Sequence, residues 1–141
     1  MKTMSARKKL LYLWGPVFLW SVVIFTFSSH PTGTASQFYW NDFLLKKTAH
    51  VLEYMFLTIL LYRALSVTCS KGQALKHSVI LAILYAATDE IHQGFTPGRE
   101  PTLRDVGFDT IGTLIAAYTI WNILPLLPER PRNWLKKLGI A

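Results

Sequence analysis

Four long apolar segments are the feature that most constrains how this chain can fold. The helices that they predict cover residues 10–28, 47–65, 74–95 and 105–127. Each is close to the roughly 20 residues that a helix needs to cross the hydrocarbon core of a bilayer. The sequence therefore predicts an all-α, polytopic membrane protein: a bundle of four transmembrane helices in a single domain of residues 1–141, ending in a basic tail at 128–141.

The composition supports lipid, and not nucleic acid, as the surrounding partner. Hydrophobic residues make up 51% of the chain and charged residues only 16%, whereas about 25% charged residues is usual in soluble domains. The net charge of +7 could suit nucleic acid, but that use requires a basic face on a soluble fold. The five Trp and eight Phe stand largely in the apolar runs instead, so we expect a bilayer-embedded protein that binds no nucleic acid.

The first apolar segment resembles a signal peptide only superficially. Lys8 and Lys9 precede it, as in a secretory signal, but the run is too long for the apolar core of one. Small residues after Phe27 keep cleavage as an alternative; we interpret the segment as an uncleaved membrane helix. The lone Cys69 excludes a disulfide framework or a thiolate metal cluster.

Charge sets the expected orientation. Most of the 15 Lys and Arg residues lie in the two tails and in the loop between the second and third segments. The positive-inside rule then places both termini in the cytoplasm. In this orientation almost all acidic residues and three of the four histidines fall in the outer half, with Glu129 and His77 as the exceptions.

Helical spacing groups these outer residues into stripes. Residues three and four apart share one side of a helix, whereas Glu90 points about 100° away from Asp89. Charges below the headgroups cost about 2.5–3.5 kcal/mol each unless they face one another or a wet cavity, so the stripes predict a polar pocket that opens outward. The stripes comprise Lys47, His50, Glu53 and Tyr54; Asp89, His92 and Gln93; and Asp105, Asp109 and Gly112.

Acid–base chemistry is the first interpretation of this pocket. The pairs His50–Glu53 and His92–Asp89 would be imidazole–carboxylate pairs on adjacent turns, which orient a histidine as a base or a ligand; these four are the catalytic candidates. Asp105 and Asp109 are candidate ligands of a divalent metal, although no metal signature is present. The candidate substrate-binding residues are Lys47, Tyr54, Glu90, Gln93 and Arg99, with Arg99 suited to grip a phosphate or carboxylate bidentately.

Structural interpretations stand beside these functional ones. Lys46, Lys47 and Arg104 near helix ends could simply snorkel toward the headgroups. Asp105 could interact with the dipole at the start of its helix. Glu53 could be a structural partner of a cation, and Tyr54 could be a core aromatic.

Three sequence blocks resemble the VanZ-like family, named for a teicoplanin-resistance protein. They are "KTAHVLEY" at 47–54, "TDEIHQGFTPGREPTLRDVGFDTIG" at 88–112 and, more loosely, "FTFSSHP" at 25–31. The resemblance covers most of the chain. It implies a bacterial inner-membrane protein of the cell envelope. In addition to the candidate site residues above, the family's motif positions include Pro97 and Gly98. His30 replaces an amide of the family's pattern, which leaves its role in doubt.

The resulting expectation is an envelope protein whose outward pocket acts on or binds an anionic lipid-linked or peptidoglycan-related substrate. The resemblance adds a context of glycopeptide antibiotic tolerance. The alternative is a non-catalytic accessory or ligand-binding protein that supports an envelope complex. A proton-coupled carrier, which would need an oligomer of this chain, is disfavoured because the cytoplasmic half carries almost no polar residues.

Overall fold

The structure is a computed structural model that describes residues 5–30, 39–97, 99 and 102–140. These residues are helical, with no strand among them, which confirms the all-α class. The α-helices are α1 (Ala6–Ser28), α2 (Tyr39–Leu65), α3 (Lys71–Gln93), α4 (Leu103–Tyr118) and α5 (Glu129–Lys137). A π-helical segment, Thr119–Ile123, and a 3₁₀ turn, Leu124–Leu126, continue α4 without a break.

Helix α1 is the most apolar element. It begins at Ser5, whose hydroxyl accepts a hydrogen bond from the backbone N–H of Lys8 at 3.5 Å. Pro16 lies inside the helix, where it removes one backbone donor without ending it. Among the described residues, Arg7–Ser28 is the one helix that is both long enough and apolar enough to cross a membrane by length and mean hydropathy, which is 1.9.

Helix α2 is the centre of the bundle, because it packs against α1, α3 and α4. Its side chains Leu57 and Leu61 meet Ile24 of α1 in the largest apolar cluster. The small residues Ala82 and Ala86 complete that cluster from α3 and are fully buried. Their size lets the helices approach closely, as is common where helices meet in membranes.

Helices α2 and α4 share the most extensive contact in the protein. A side chain on Gly112 of α4 would collide with the backbone carbonyl of Val51 on α2. The two backbones can therefore touch only because this position lacks a Cβ atom. The sequence prediction that Gly112 permits close helix contact is confirmed, and the contact fixes the carboxylates of α4 against α2.

The helices differ from the prediction most clearly in three places. Helix α2 starts at Tyr39, well before residue 47, because residues 39–46, which contain Asn41 and Asp42, are also helical. The α-helical part of the fourth segment ends at Tyr118 because Pro125 has no N–H to donate, so the last turns rearrange: the Leu124 N–H reaches back to the Thr119 carbonyl. The basic tail contains a helix, α5, that was not expected.

Outside the apolar core, many polar side chains are buried and many large apolar side chains are exposed. Fully buried polar residues include Asp89, Glu90, Gln93 and Asp109. Large apolar side chains cover the outside of the bundle on every long helix, for example Phe18, which is 73% exposed. A water-soluble domain would bury the second set and expose the first.

Candidate functional site

The polar residues of four helices meet at one end of the bundle. This end brings together the last turn of α1, the first half of α2, the last turns of α3 and the first turns of α4. A cavity of about 470 Å³ opens there. Its lining residues are Phe27, Ser28, Lys46, Lys47, Ala49, His50, Glu53, Gln93, Arg99 and Asp105.

A histidine–aspartate pair forms one wall of the cavity. The Nδ1 atom of His50 on α2 lies 3.0 Å from Oδ1 of Asp109 on α4. Asp109 is only 1% exposed, so its charge depends on this contact. When Nδ1 carries the proton and donates it to the carboxylate, Nε2 keeps its lone pair. The pair thus orients His50 as a base or a ligand in the cavity that it lines.

Glu53 stands one turn deeper on the same face of α2. Its carboxylate lines the cavity, and among the described residues no side chain forms a hydrogen bond or ion pair with it. Its backbone carbonyl accepts a hydrogen bond from the Trp20 indole N–H at 3.0 Å, which ties this turn to α1. Glu53 is therefore a positioned acceptor that has no direct charge partner among the described residues.

The opposite wall is a hydrogen-bond chain from α1 to the α3–α4 connection. The Ser28 hydroxyl donates to Oδ2 of Asp89 at 2.6 Å. The Gln93 amide nitrogen donates to the same oxygen at 3.1 Å and to the Ser28 hydroxyl at 3.0 Å. Its amide oxygen accepts from Nη1 of Arg99 at 2.8 Å. The chain fixes the Gln93 amide orientation and holds Arg99 at the cavity.

Arg99 is also held by the end of α1. Its Nη2 and Nε atoms donate to the Phe27 and His30 carbonyls, each at 3.3 Å. These carbonyls are at the helix C-terminus, where the partial negative charge favours a cation. The half-buried guanidinium keeps further N–H groups, so it can both join α1 to α3 and bind an anion.

Lys47 and Asp105 form an ion pair at the rim. The distance from Nζ to Oδ1 is 2.6 Å, and both side chains are mostly buried. The ammonium also lies 5.6 and 5.7 Å from the ring centroids of Phe43 and Phe108, within the range of cation–π attraction. The sequence-based alternative of a merely snorkelling Lys47 does not describe this geometry.

Five of the eleven predicted site residues do not line the cavity. Asp89 and Asp109 lie behind it, as partners of lining residues, and the other three make contacts elsewhere. His92 contacts the Ser29 hydroxyl at 3.0 Å through Nε2 and stacks on Phe25 at 4.2 Å. Tyr54 is fully buried against Tyr85. Glu90 accepts a hydrogen bond from the backbone N–H of Thr102 at the start of α4 and so caps that helix.

The predicted pairing within helices is wrong. His50 pairs with Asp109 instead of Glu53, and Asp89 pairs with Ser28 and Gln93 instead of His92. The partner of His50 lies on α4 and the donor to Asp89 from Ser28 lies on α1, whereas Gln93 is one turn from Asp89 on α3. Partners across helices cannot be found from spacing within one segment.

The described residues of the cavity do not form a ligand set for a divalent metal. Among the described residues, no three His, Cys, Asp or Glu side chains cluster closely enough to hold an ion. The carboxylates of Asp105 and Asp109 are a turn apart, but the first is paired with Lys47 and the second with His50. We therefore derive no chemical step through a metal.

Ser28 is the site residue that sequence reasoning missed. Its hydroxyl is buried and joins Asp89 to Gln93, yet a serine near a helix end carries no signal of its own. Only its place in the "FTFSSHP" block could have pointed to it. Pro31, Gly98 and Glu100, and the side chain of Asp42, lie outside the described residues.

Comparisons with known proteins agree with the sequence resemblance. The family model for VanZ/LLP1 matches residues 6–125, which include α1 to α4 and every residue of the cavity. No curated protein and no solved structure gave a significant match. The match covers most of the chain, so this protein belongs to the VanZ/LLP1 family.

Proposed function

We propose that α1 to α4 each cross a bacterial inner membrane, with both termini in the cytoplasm. The support is the inside-out surface: large apolar side chains such as Leu52, Leu84 and Leu114 are about half exposed on α2, α3 and α4, at 52%, 57% and 53%. These helices are less apolar than α1 in part because they carry buried polar residues such as Asp89 and Asp109, and membrane helices normally turn such residues toward the bundle interior.

The polar cavity then opens toward the outside of the cell and binds the anionic group of an envelope substrate that is lipid-linked or related to peptidoglycan. The carrying observation is that Arg99 and His50 both line this one cavity. Lys46 also lines the cavity, whereas the charge of Lys47 is offset by its ion pair with Asp105. A volume of about 470 Å³ is within the range of small-molecule sites.

The residues divide naturally between binding and proton transfer. Arg99 holds a phosphate or carboxylate, because a guanidinium matches the paired oxygens of such groups. His50, oriented by Asp109, accepts or delivers a proton through Nε2. Glu53, one turn away and without a direct partner among the described residues, shares that proton or stabilises the charged imidazole.

A second candidate function is a non-catalytic accessory protein that holds the same ligand for an envelope complex. The hydrogen-bond chain Ser28–Asp89–Gln93–Arg99 favours it, because its side chains hold one another in place and the Ser28 hydroxyl is buried, so the wall can bind a ligand without presenting an exposed nucleophile. Both functions predict that the ligand binds. Only the enzyme converts it to a product, so a measurement of turnover distinguishes the two.

Ligand binding is the direct test. The purified protein in lipid nanodiscs is mixed with a polyprenyl phosphate or with the matching neutral polyprenol, and binding is followed by native mass spectrometry. We expect the phosphate to bind at least about tenfold more tightly, since charge-assisted hydrogen bonds are worth about 1.5–3 kcal/mol. Equal binding of the two lipids would contradict an anion site.

Two arginines supply a matched comparison. Arg99→Gln should abolish the preference for the phosphate. Arg104→Gln removes the same charge from a residue that lies 5.5 Å over the Phe43 ring and does not line the cavity, so it should keep the preference. His50→Ala should retain binding of the phosphate. If the wild type turns over the lipid and His50→Ala binds it without turnover, the protein is an enzyme. If neither the wild type nor His50→Ala shows turnover, the accessory function is supported.

The antibiotic context of the family gives a cellular test. A strain that lacks the gene is complemented with wild type, Arg99→Gln or Arg104→Gln, and its susceptibility to teicoplanin is measured. If the cavity contributes to tolerance, wild type and Arg104→Gln restore it and Arg99→Gln does not. If all three proteins restored tolerance to teicoplanin, the cavity would not be responsible for it.

A further inference from the structure

A second cavity lies at the other end of the bundle from the polar site. It has a volume of about 420 Å³ and is formed by the last turns of α2, the start of α3, the end of α4 and helix α5. Its lining residues are Tyr62, Lys71, Ile120, Trp121, Leu124, Pro125, Arg132 and Lys136. None of them belongs to the polar site.

The cavity has an apolar floor and a basic rim. Tyr62, Ile120 and Leu124 are buried, at 4%, 7% and 8% exposure. Lys71 from α3 and two cations from α5, Arg132 and Lys136, stand around them. No carboxylate is among the lining residues, so the basic rim is not neutralised from within the cavity.

The end of α4 gives the cavity its shape. The π-helical turn Thr119–Ile123 and the 3₁₀ turn that follows carry Ile120 and Leu124, which are both buried. Pro125 lines the cavity, and its carbonyl accepts a hydrogen bond from Nη1 of Arg132 at 3.4 Å. Local π-helical turns of this kind are frequent at functional sites.

Helix α5 is tied in place across the cavity. Nε of Arg63, near the end of α2, donates to the Leu138 carbonyl at 2.6 Å, and the Arg63 guanidinium lies 4.4 Å from the ring centroid of Tyr12 on α1. The helix is strongly amphipathic and carries the exposed Trp134. Basic amphipathic helices with Trp typically lie in the interface plane of a membrane.

Arg132 is the rim residue with a buried hydrogen-bond donor that lacks an acceptor among the described residues. This donor is its Nε atom. A buried donor on a charged group is costly when it lacks an acceptor. An anion between α3 and α5 would supply one, and would also compensate Lys71 and Lys136.

We propose that this cavity binds one anionic phospholipid of the cytoplasmic leaflet. The phosphate contacts Lys71, Arg132 and Lys136, and one acyl chain packs on Tyr62, Ile120 and Leu124. The cytoplasmic leaflet supplies such lipids, and basic pockets between membrane helices on that side bind their headgroups. The apolar floor favours a lipid over free phosphate, because only a lipid has an acyl chain that can pack against it.

The test is lipid binding by the full chain. Native mass spectrometry of the purified protein, titrated with phosphatidylglycerol or phosphatidylcholine of the same acyl chains, should show one tightly retained phosphatidylglycerol and no matching phosphatidylcholine. Arg132→Gln/Lys136→Gln should weaken that binding about tenfold, as expected for the loss of two basic residues next to an anionic headgroup. Lys71→Gln, on a different helix, should weaken it as well.

The matched control is Arg130→Gln/Lys137→Gln, which removes the same charge from α5 at two exposed positions outside the cavity. It should leave the retained lipid in place. Equal weakening in both double variants, equal binding of the two lipids, or release of the lipid by millimolar inorganic phosphate would each overturn the proposal. Binding of polyprenyl phosphate to Arg99 is measured separately, so failure of one site does not imply failure of the other.

Discussion

At the scale of single residues, the contact between His50 and Asp109 joins stability to the chemistry that we propose. Asp109 is almost fully buried, so removal of His50 leaves a carboxylate without its charge partner. His50→Ala and Asp109→Ala should therefore be non-additive. A double-mutant cycle on the free energy of unfolding in detergent should give a coupling of roughly 0.5–3 kcal/mol. Additive effects would show that the two side chains do not interact.

Ser28 should matter more than its neighbour Ser29. Ser28→Ala removes a 2.6 Å hydrogen bond to the buried Asp89 and one acceptor of Gln93, which should cost roughly 1–3 kcal/mol of stability. Ser29→Ala removes contacts of a half-buried hydroxyl with His92 and the Phe25 carbonyl and should cost less. Thermal unfolding of both variants checks the order, and a larger loss for Ser29→Ala would contradict the buried chain.

At the scale of elements, the contact between α2 and α4 depends on Gly112. Gly112→Ala places a methyl group against the Val51 backbone, and overpacking of this kind typically costs roughly 1–3 kcal/mol. It should also disturb His50 and Asp109, which face each other one turn away. Gly107→Ala on the same helix is the control, since a Cβ there meets nothing within 4 Å; similar melting temperatures for the two variants would contradict the close contact.

The sequence was informative about elements wherever apolar length decided the outcome. It located the central parts of α1 to α4, because each of these helices contains a long apolar run. It missed the α-helical start of α2 at Tyr39 and the whole of α5, because polar helices outside the apolar runs give no hydropathy signal. It also missed the π-helical turn before Pro125, which depends on hydrogen bonds that spacing does not encode.

Six of the eleven predicted site residues line the cavity, and their pairing across helices was not predictable. Helical spacing correctly placed Lys47, His50 and Glu53 on one face of α2, and all three line the cavity. Their partners lie on other helices, and which turn faces which is decided by contacts such as that of Gly112 with Val51. For the same reason His92, one turn beyond Asp89, faces Ser29 and Phe25 instead of the cavity.

At the scale of the whole molecule, polar chemistry is concentrated at one end and a basic, amphipathic edge at the other. The first end carries Arg99, His50 and Glu53 around a cavity. The second carries α5 and the basic rim of Lys71, Arg132 and Lys136. This polarity agrees with the orientation proposed above, in which the second end rests on the cytoplasmic leaflet and the first faces outward.

Thiol labelling of a single cavity position tests the outward-facing cavity most directly. Ala49→Cys places a thiol in the lining, and Cys69→Ser removes the native one. A membrane-impermeant maleimide should label Ala49→Cys in intact spheroplasts, added polyprenyl phosphate should slow the labelling, and the native Cys69 between α2 and α3 should react only after permeabilisation. Labelling of Ala49→Cys only after permeabilisation, or at a rate that the phosphate leaves unchanged, would contradict an outward-facing anion site.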